Sequence, residues 1–333
     1  MKAPVVAEVS ALAEKISSLQ RFVLTTHMNP DGDGLGAEVA LAAAFQQLGK
    51  SVAVLNDEAT PAEYRFLDPE GALKRYSPRR HGALLRDADM VVLMDAGSPS
   101  RTGRLGGELA GFRGMTAVID HHAAVSWGEL RLVDPTACST TTLTLSLLKQ
   151  LGVDLTPAMA CALYAGVLVD TLSFRNANTT PDCLRTAAEL VDLGADVVGV
   201  WRSFFADWPI GRARLQGDFL ASLRASRDGR LVWSVVTREQ LRRRSQTESA
   251  VEGFVERALD TRGAELAILF LEETEGTTRV SFRSKEPISV DGLARSLGGG
   301  GHRLAAGAIL RGPPSQVVPD VLGLAKRLLT EAS

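Results

Sequence analysis

Three side chains able to hold a metal lie within seven residues in His27-Met28-Asn29-Pro30-Asp31-Gly32-Asp33: His27, Asp31 and Asp33. The other candidates each close an apolar stretch. Val91–Met94 ends in Asp95, and Thr116–Ile119 ends in Asp120-His121-His122. Asp170 closes the apolar helix-period segment that starts at Thr156-Pro157. Asp31, Asp33, Asp95 and Asp170 carry a summed charge of −4. Gathered without compensation, they would repel and raise one another's pKa. Two divalent cations supply +4. Mixed Asp/His ligation suits Mn²⁺, with Zn²⁺, Fe²⁺ or Co²⁺ as alternatives and Mg²⁺ a poorer fit. Asp31 or Asp95 taken singly reads as a turn residue or helix cap; the joint pattern points to the metal centre.

A second signal lies near the other end, in Gly298-Gly299-Gly300-Gly301-His302-Arg303-Leu304-Ala305-Ala306-Gly307. Consecutive glycines let backbone N–H groups approach an anion closely. His302 adds a donor, and Arg283 on the preceding strand pattern could pair with a phosphate in bidentate fashion. The plainer reading of the glycines is a flexible linker with a surface histidine.

These residues need elements to position them. Arg21–Thr26, Ser51–Leu55, Met90–Met94 and Met115–Ile119 read as buried strands, separated by helix-period segments. That alternation predicts an α/β domain with a mostly parallel sheet. In such sheets the site lies outside the carboxyl ends of the strands, so His27, Asp95 and Asp120–His122 should meet at one edge. The pattern changes near residue 200. Val200–Leu220 reads as a connecting helical segment. Leu231–Thr237, Glu265–Glu272 and Thr278–Ser284 read as strands, and Val290–Leu297 and Ser315–Thr330 as helices, giving a second, smaller α/β domain.

Composition sets outer bounds. A length of 333 residues suggests about two domains. With 45% hydrophobic and 23% charged residues, the chain is neither disordered nor fibrous. No apolar run is long enough to span a bilayer, and Met1–Lys15 has no signal-peptide core, so no membrane association is expected. Three cysteines, Cys138, Cys161 and Cys183, fit no zinc spacing and read as reduced thiols of a cytoplasmic protein. The net charge of −2 argues against a coat for long duplex nucleic acid. Residues 1–200 hold 17 Lys/Arg against 23 Asp/Glu, and residues 201–333 hold 20 against 16. An acidic half suits cations and a basic half a phosphorylated ligand.

In sequence order, the His27–Asp33 run, Asp95, Asp120-His121-His122 and Asp170 resemble the four motifs of the DHH phosphoesterases. The Gly298–Gly307 stretch resembles the GGGH motif of the DHHA1 domain. Together they make residues 27–310 similar to the bifunctional oligoribonuclease (nano-RNase) and pAp-phosphatase branch. The resemblance implies one cation held by His27, Asp31 and Asp95, and another by Asp33, Asp95, His121 and Asp170, with Asp95 bridging. Asp120 would orient a histidine, and His122 would face the scissile phosphate or leaving group. Arg283, Gly299, Gly300, Gly301 and His302 would hold the far phosphate. The implied architecture is a DHH domain at 1–195, a linker helix at 196–225 and a DHHA1 domain at 226–333, with the active site in the cleft between them. The implied activity is Mn-dependent hydrolysis of short oligoribonucleotides to 5′-mononucleotides, and of pAp to AMP and phosphate. Alternatives are a cyclic or linear dinucleotide (c-di-AMP, pGpG, pApA) phosphodiesterase in signalling and, in a different class, an inert nucleotide-binding module. A homodimer is compatible with all of these. Two positions depart from the family pattern: Thr142 stands where a carboxylate is usual, and Leu172 where Gly is common.

Overall fold

The computed structural model describes residues 3–206, 208–273, 276–301 and 303–331. The chain divides into two compact units, Met1–Asp207 and Trp208–Ser333. The first holds strands β1 (Arg21–Thr25), β2 (Ser51–Asn56), β3 (Leu73–Arg75), β4 (Met90–Met94), β5 (Met115–Asp120) and β6 (Leu130–Val133). Its helices are α1 (Ala3–Ser18), α2 (Gly32–Gln47), α3 (Pro78–Arg86), α4 (Leu105–Ala110), α5 (Thr140–Leu151), α6 (Pro157–Asp170), α7 (Pro181–Asp192) and α8 (Val197–Phe205).

The strand order is β3-β2-β1-β4-β5-β6, and every pairing is parallel. Parallel strands need crossovers that cover both faces, which explains their near-continuous apolar runs. Phe22, Leu24, Met90, Val92 and Met94 join one core with residues of α1, α2, α5 and α6. Val23 and Val91, pointing the other way, pack with Leu85, Leu105 and Leu109. The sequence expectation of a mostly parallel sheet flanked by helices holds. The elements not individually anticipated here include α1, α3, α4, α7, β3 and β6. Pro181 stands at the start of α7, and Thr180 caps it by accepting a hydrogen bond from the Cys183 N–H.

The stretch 196–225 contains two helices, α8 and α9 (Ile210–Ala221), which belong to different units. The second unit continues with α10 (Arg238–Arg243), α11 (Phe254–Leu259), α12 (Asp291–Ser296) and α13 (Pro314–Glu331). Its strands are β7 (Arg224–Ala225), β8 (Leu231–Val236), β9 (Leu266–Glu272), β10 (Thr277–Ser284), β11 (Gly300–Gly301) and β12 (Ala305–Arg311). They form a mixed sheet in the order β11-β12-β10-β9-β8-β7, with β8 and β9 parallel and the other pairs antiparallel.

The glycine run is part of this sheet rather than a loose linker. Gly300 and Gly301 pair with Gly307 and Ala306. Gly301 has φ 139°, and a Cβ there would lie 2.5 Å from the Ala306 Cα, so only glycine fits. His302 lies outside the described residues.

Candidate metal centre

Adjacent strands β1, β4 and β5 end at the same edge and carry His27, Asp95 and Asp120–His122 there. The loop after β1 enters α2, and Asp31 caps that helix by accepting from the N–H groups of Asp33 (3.0 Å) and Gly34 (3.3 Å). Gly32 and Gly34 are helical, and their lack of a side chain serves close packing against Val169 and Thr26. Asp33, fully buried in the first turn of α2, faces α5 and α6. Its Oδ2 accepts from Thr140 N (2.6 Å) and its Oδ1 from Thr141 N (2.9 Å), two donors at the start of α5. A Cβ at Gly166 on α6 would lie 2.6 Å from that Oδ1, so glycine leaves the room the carboxylate occupies.

Asp95 follows β4 with φ 55°, a left-handed conformation that Asp tolerates better than most residues. Its Oδ2 is 3.3 Å from His27 Nε2, and its Oδ1 is 3.7 Å from His121 Nε2. One carboxylate thus turns an oxygen to each side. His27 Nδ1 meets the Met28 carbonyl at 2.8 Å and His121 Nδ1 the Ala137 carbonyl at 3.4 Å. A carbonyl only accepts, so both Nδ1 atoms carry hydrogen and Nε2 is turned to the acids. His121 Nε2 lies 2.9 Å from Asp170 Oδ2 and 3.9 Å from Asp33 Oδ2. Among the described residues, three groups have ligand atoms close enough for one ion each: His27–Asp31–Asp95, Asp33–His121–Asp170 and Asp95–His121–His122.

Electrostatics shows a cluster with more negative charge than its surroundings compensate. Burial pushes the Asp33 carboxyl well above its ordinary value, helped by Asp170 and Asp95. Burial likewise raises Asp170, to about 6, against the opposing pull of His121. Burial by itself would lower both histidines, but the acids outweigh it and hold His27 and His121 up at about 11. The cluster therefore retains protons that a cation would displace. The donor set, with two imidazole Nε2 atoms among four carboxylates, fits two divalent first-row cations.

Asp120 is buried. Its Oδ1 accepts from His122 Nδ1 (2.7 Å) and from the His122 backbone N–H (2.9 Å). Burial favours the neutral acid, but His122 outweighs it and the pKa is lowered. The structure thus brings His27, Asp31, Asp33, Asp95, Asp120, His121, His122 and Asp170 together. Thr142, where a carboxylate is usual, turns its hydroxyl to Ser139 Oγ (3.0 Å) and Cys138 Sγ (3.3 Å). Leu172 has φ 50° and opens a run of three left-handed residues with Ser173 and Phe174. That explains why glycine is common there, since such a backbone costs an L-residue about 1–2 kcal/mol.

In the second unit, Arg283 is already engaged. Its Nε donates to Glu256 Oε1 (2.6 Å) and its Nη1 to the Phe282 carbonyl (3.0 Å). Glu256 was not anticipated, because it lies on α11, 27 residues earlier in the chain. Its Oε2 is buried without a hydrogen-bond partner. Thr140, Thr141 and Asn178, which hold the acids from behind, were also missed. The only local signal for the last is the Asn178-Thr179-Thr180-Pro181 run that opens α7.

Comparison with known proteins agrees with this geometry. The N-terminal domain of the DHH family matches residues 21–167, and the DHHA1 domain matches residues 229–331. A bifunctional oligoribonuclease and PAP phosphatase NrnA from Thermus thermophilus is 34% identical over 93% of this chain and 90% of its own. Its counterpart of the same description from Bacillus subtilis is 26% identical over 89% and 91%. The crystal structure of an exopolyphosphatase-related protein from Bacteroides fragilis has the same fold, with TM-score 0.90 at 22% identity over 98% of this chain and 96% of that one.

Proposed function

This chain belongs to the DHH family and carries a DHHA1 domain, and from that premise we propose that it is a metal-dependent phosphoesterase. Its substrates would be short oligoribonucleotides, released as 5′-mononucleotides, and pAp, cleaved to AMP and phosphate. The observation that carries the reading is Asp95, whose two oxygens face His27 on one side and His121 on the other. Two divalent cations would be held by His27, Asp31 and Asp95, and by Asp33, Asp95, His121 and Asp170, and Mn²⁺ suits the mixed donors best. When bound, such ions would supply Lewis acidity toward phosphoryl oxygens and lower the pKa of water.

The chain's own residues do the rest. The Nδ1–H groups of His27 and His121, held by backbone carbonyls, keep each Nε2 turned inward. Asp120 accepts from His122 Nδ1 and from its backbone N–H and so fixes the ring, which would face the scissile phosphate or leaving group. Arg283, exchanging or sharing Glu256, would take a phosphate remote from the scissile one, with Gly299, Gly300, Gly301 and His302 completing that subsite. The relatives named for oligoribonuclease and PAP phosphatase activities support this substrate class.

The test is turnover of pAp and of a labelled RNA 3-mer by chelator-treated protein, before and after Mn²⁺ is restored. Activity only with Mn²⁺ is expected. Full activity without any divalent cation, or no turnover of either substrate with it, would overturn the proposal.

A further inference from the structure

The short stretch 137–141, leading into α5, touches three of the six candidate ligands from behind. The Ala137 carbonyl meets His121 Nδ1 (3.4 Å). Thr140 N and Thr141 N hold the Asp33 carboxylate, and Thr140 Oγ1 donates to Asp95 Oδ1 (3.2 Å). Asp170 comes from elsewhere, the last turn of α6. Its carbonyl accepts from Asn176 Nδ2 (3.1 Å) and from Asn178, and of these two side chains Asn178 also reaches this stretch. Asn178 Nδ2 donates to the Cys138 carbonyl (3.0 Å) and to the Asp170 carbonyl (3.2 Å).

Both partners are carbonyl oxygens, which only accept, so the NH₂ end of the Asn178 amide must face them. The Asp170 carbonyl is one of those that a helix end leaves without a partner in the helix. The same orientation leaves Asn178 Oδ1 buried with no hydrogen-bond partner. The position therefore tolerates a cost on its acceptor side and makes two bonds on its donor side. Those two bonds join the entry of α5, which clamps Asp33, to the end of α6, which carries Asp170.

We propose that Asn178 is a positioning residue for one half of the metal centre, setting the spacing of Asp33 and Asp170 around His121. The inference rests on the two-cation reading. Apart from the Thr140 Oγ1 contact to Asp95, which both halves share, the other half is held by different parts of the chain. His27 is fixed by the Met28 carbonyl and Asp31 by the amides of Asp33 and Gly34. Asp95 is anchored by its own N–H on the Ile119 carbonyl (3.0 Å). Loss of the Asn178 donors should therefore weaken one cation site and spare the other, an asymmetry that a general loss of folding would not produce.

The experiment titrates the metal-free full chain with Mn²⁺, following bound and free ion by electron paramagnetic resonance. Thermal unfolding of the metal-free protein is measured in parallel. Asn178→Leu keeps the side-chain shape and removes both donors. Asn178→Ser keeps one donor and serves if the first variant fails to fold. The wild type is expected to bind two ions. Asn178→Leu should weaken one site by about 10–100-fold, as loss of a partner that orients a ligand does, and leave the other within about threefold. Asn178→Ser should show the same asymmetry with a smaller factor. Two unchanged sites, or two sites weakened equally, would overturn the role assigned to Asn178. A wild type that binds one ion or none would instead overturn the two-cation reading beneath it.

Discussion

Glu38 offers a quantitative test of how the edge beside His27 is built. It sits in α2 with no exposed surface. Its Oε2 accepts from Asn56 Nδ2 at 2.7 Å, and its Oε1 is buried without a partner. Asn56 Oδ1 in turn accepts from the backbone N–H of Thr26, the residue before His27. Burial pushes the Glu38 carboxyl up to about 8 from 4.5, against weaker opposing pulls from Asn56 and His27. Because the folded pKa lies above the unfolded one, the unfolded chain ionises first. The stability this group contributes is full below the unfolded value, falls as pH rises, and levels off once the folded carboxyl ionises near pH 8. Between pH 6 and pH 9 the loss comes to roughly 1.5–3 kcal/mol. In a unit of this size that is a fall of roughly 4–9 °C in Tm. Glu38→Gln keeps the shape and the acceptor for Asn56 and has nothing to ionise. Urea unfolding of both proteins at the two pH values should show the wild type losing that much more stability than the variant. Parallel losses in the two proteins would refute the claim that Glu38 is a neutral buried acid.

Four further outcomes are expected. Asp95→Ala removes the carboxylate that faces both histidines, so Mn²⁺ titration should show both ions weakened and kcat should fall by several orders of magnitude. Cation binding should tighten as pH rises from 6 to 8, because His27 and His121, held at about 11, must lose their protons to ligate; calorimetry in buffers of different ionisation enthalpy should register proton release. Arg283→Ala should raise KM for pAp by about 10–150-fold, the worth of one charge-assisted contact of about 1.5–3 kcal/mol, while a small generic phosphodiester is spared. An RNA 24-mer should be degraded far more slowly per end than a 3-mer at one stated salt concentration, since an excess of 20 basic over 16 acidic residues in 201–333 is too small for a long backbone track.

The meeting of the candidate ligands was legible because chain order and chemistry coincide in a parallel sheet. Crossovers return every strand in the same direction, so residues that close the apolar runs must share an edge. His27, Asp95 and Asp120–His122 follow from that rule, and the ordered motifs add Asp31, Asp33 and Asp170. The second unit was legible too, since Leu231–Val236 and Leu266–Glu272 are largely apolar runs of strand length and Thr277–Ser284 alternates with period two. Helices α1 and α7 carry none of the candidate ligands, and strands β3 and β6, of three and four residues, are too short for a period to show.

What the sequence determined by itself is thus the kinds of ligand, their delivery to one edge, and the pairing of an acidic unit with a basic, glycine-rich one. Tertiary structure alone decided that Asp95 splits its oxygens between two histidines, and that Asn178 joins two helix ends. It also placed Glu256 on Arg283, and made Glu38 a buried acid on a helix where a glutamate reads as a solvated face. Each of these depends on residues far apart in the chain meeting at hydrogen-bonding distance. Such contacts are set by how whole elements pack, which no local period or spacing encodes.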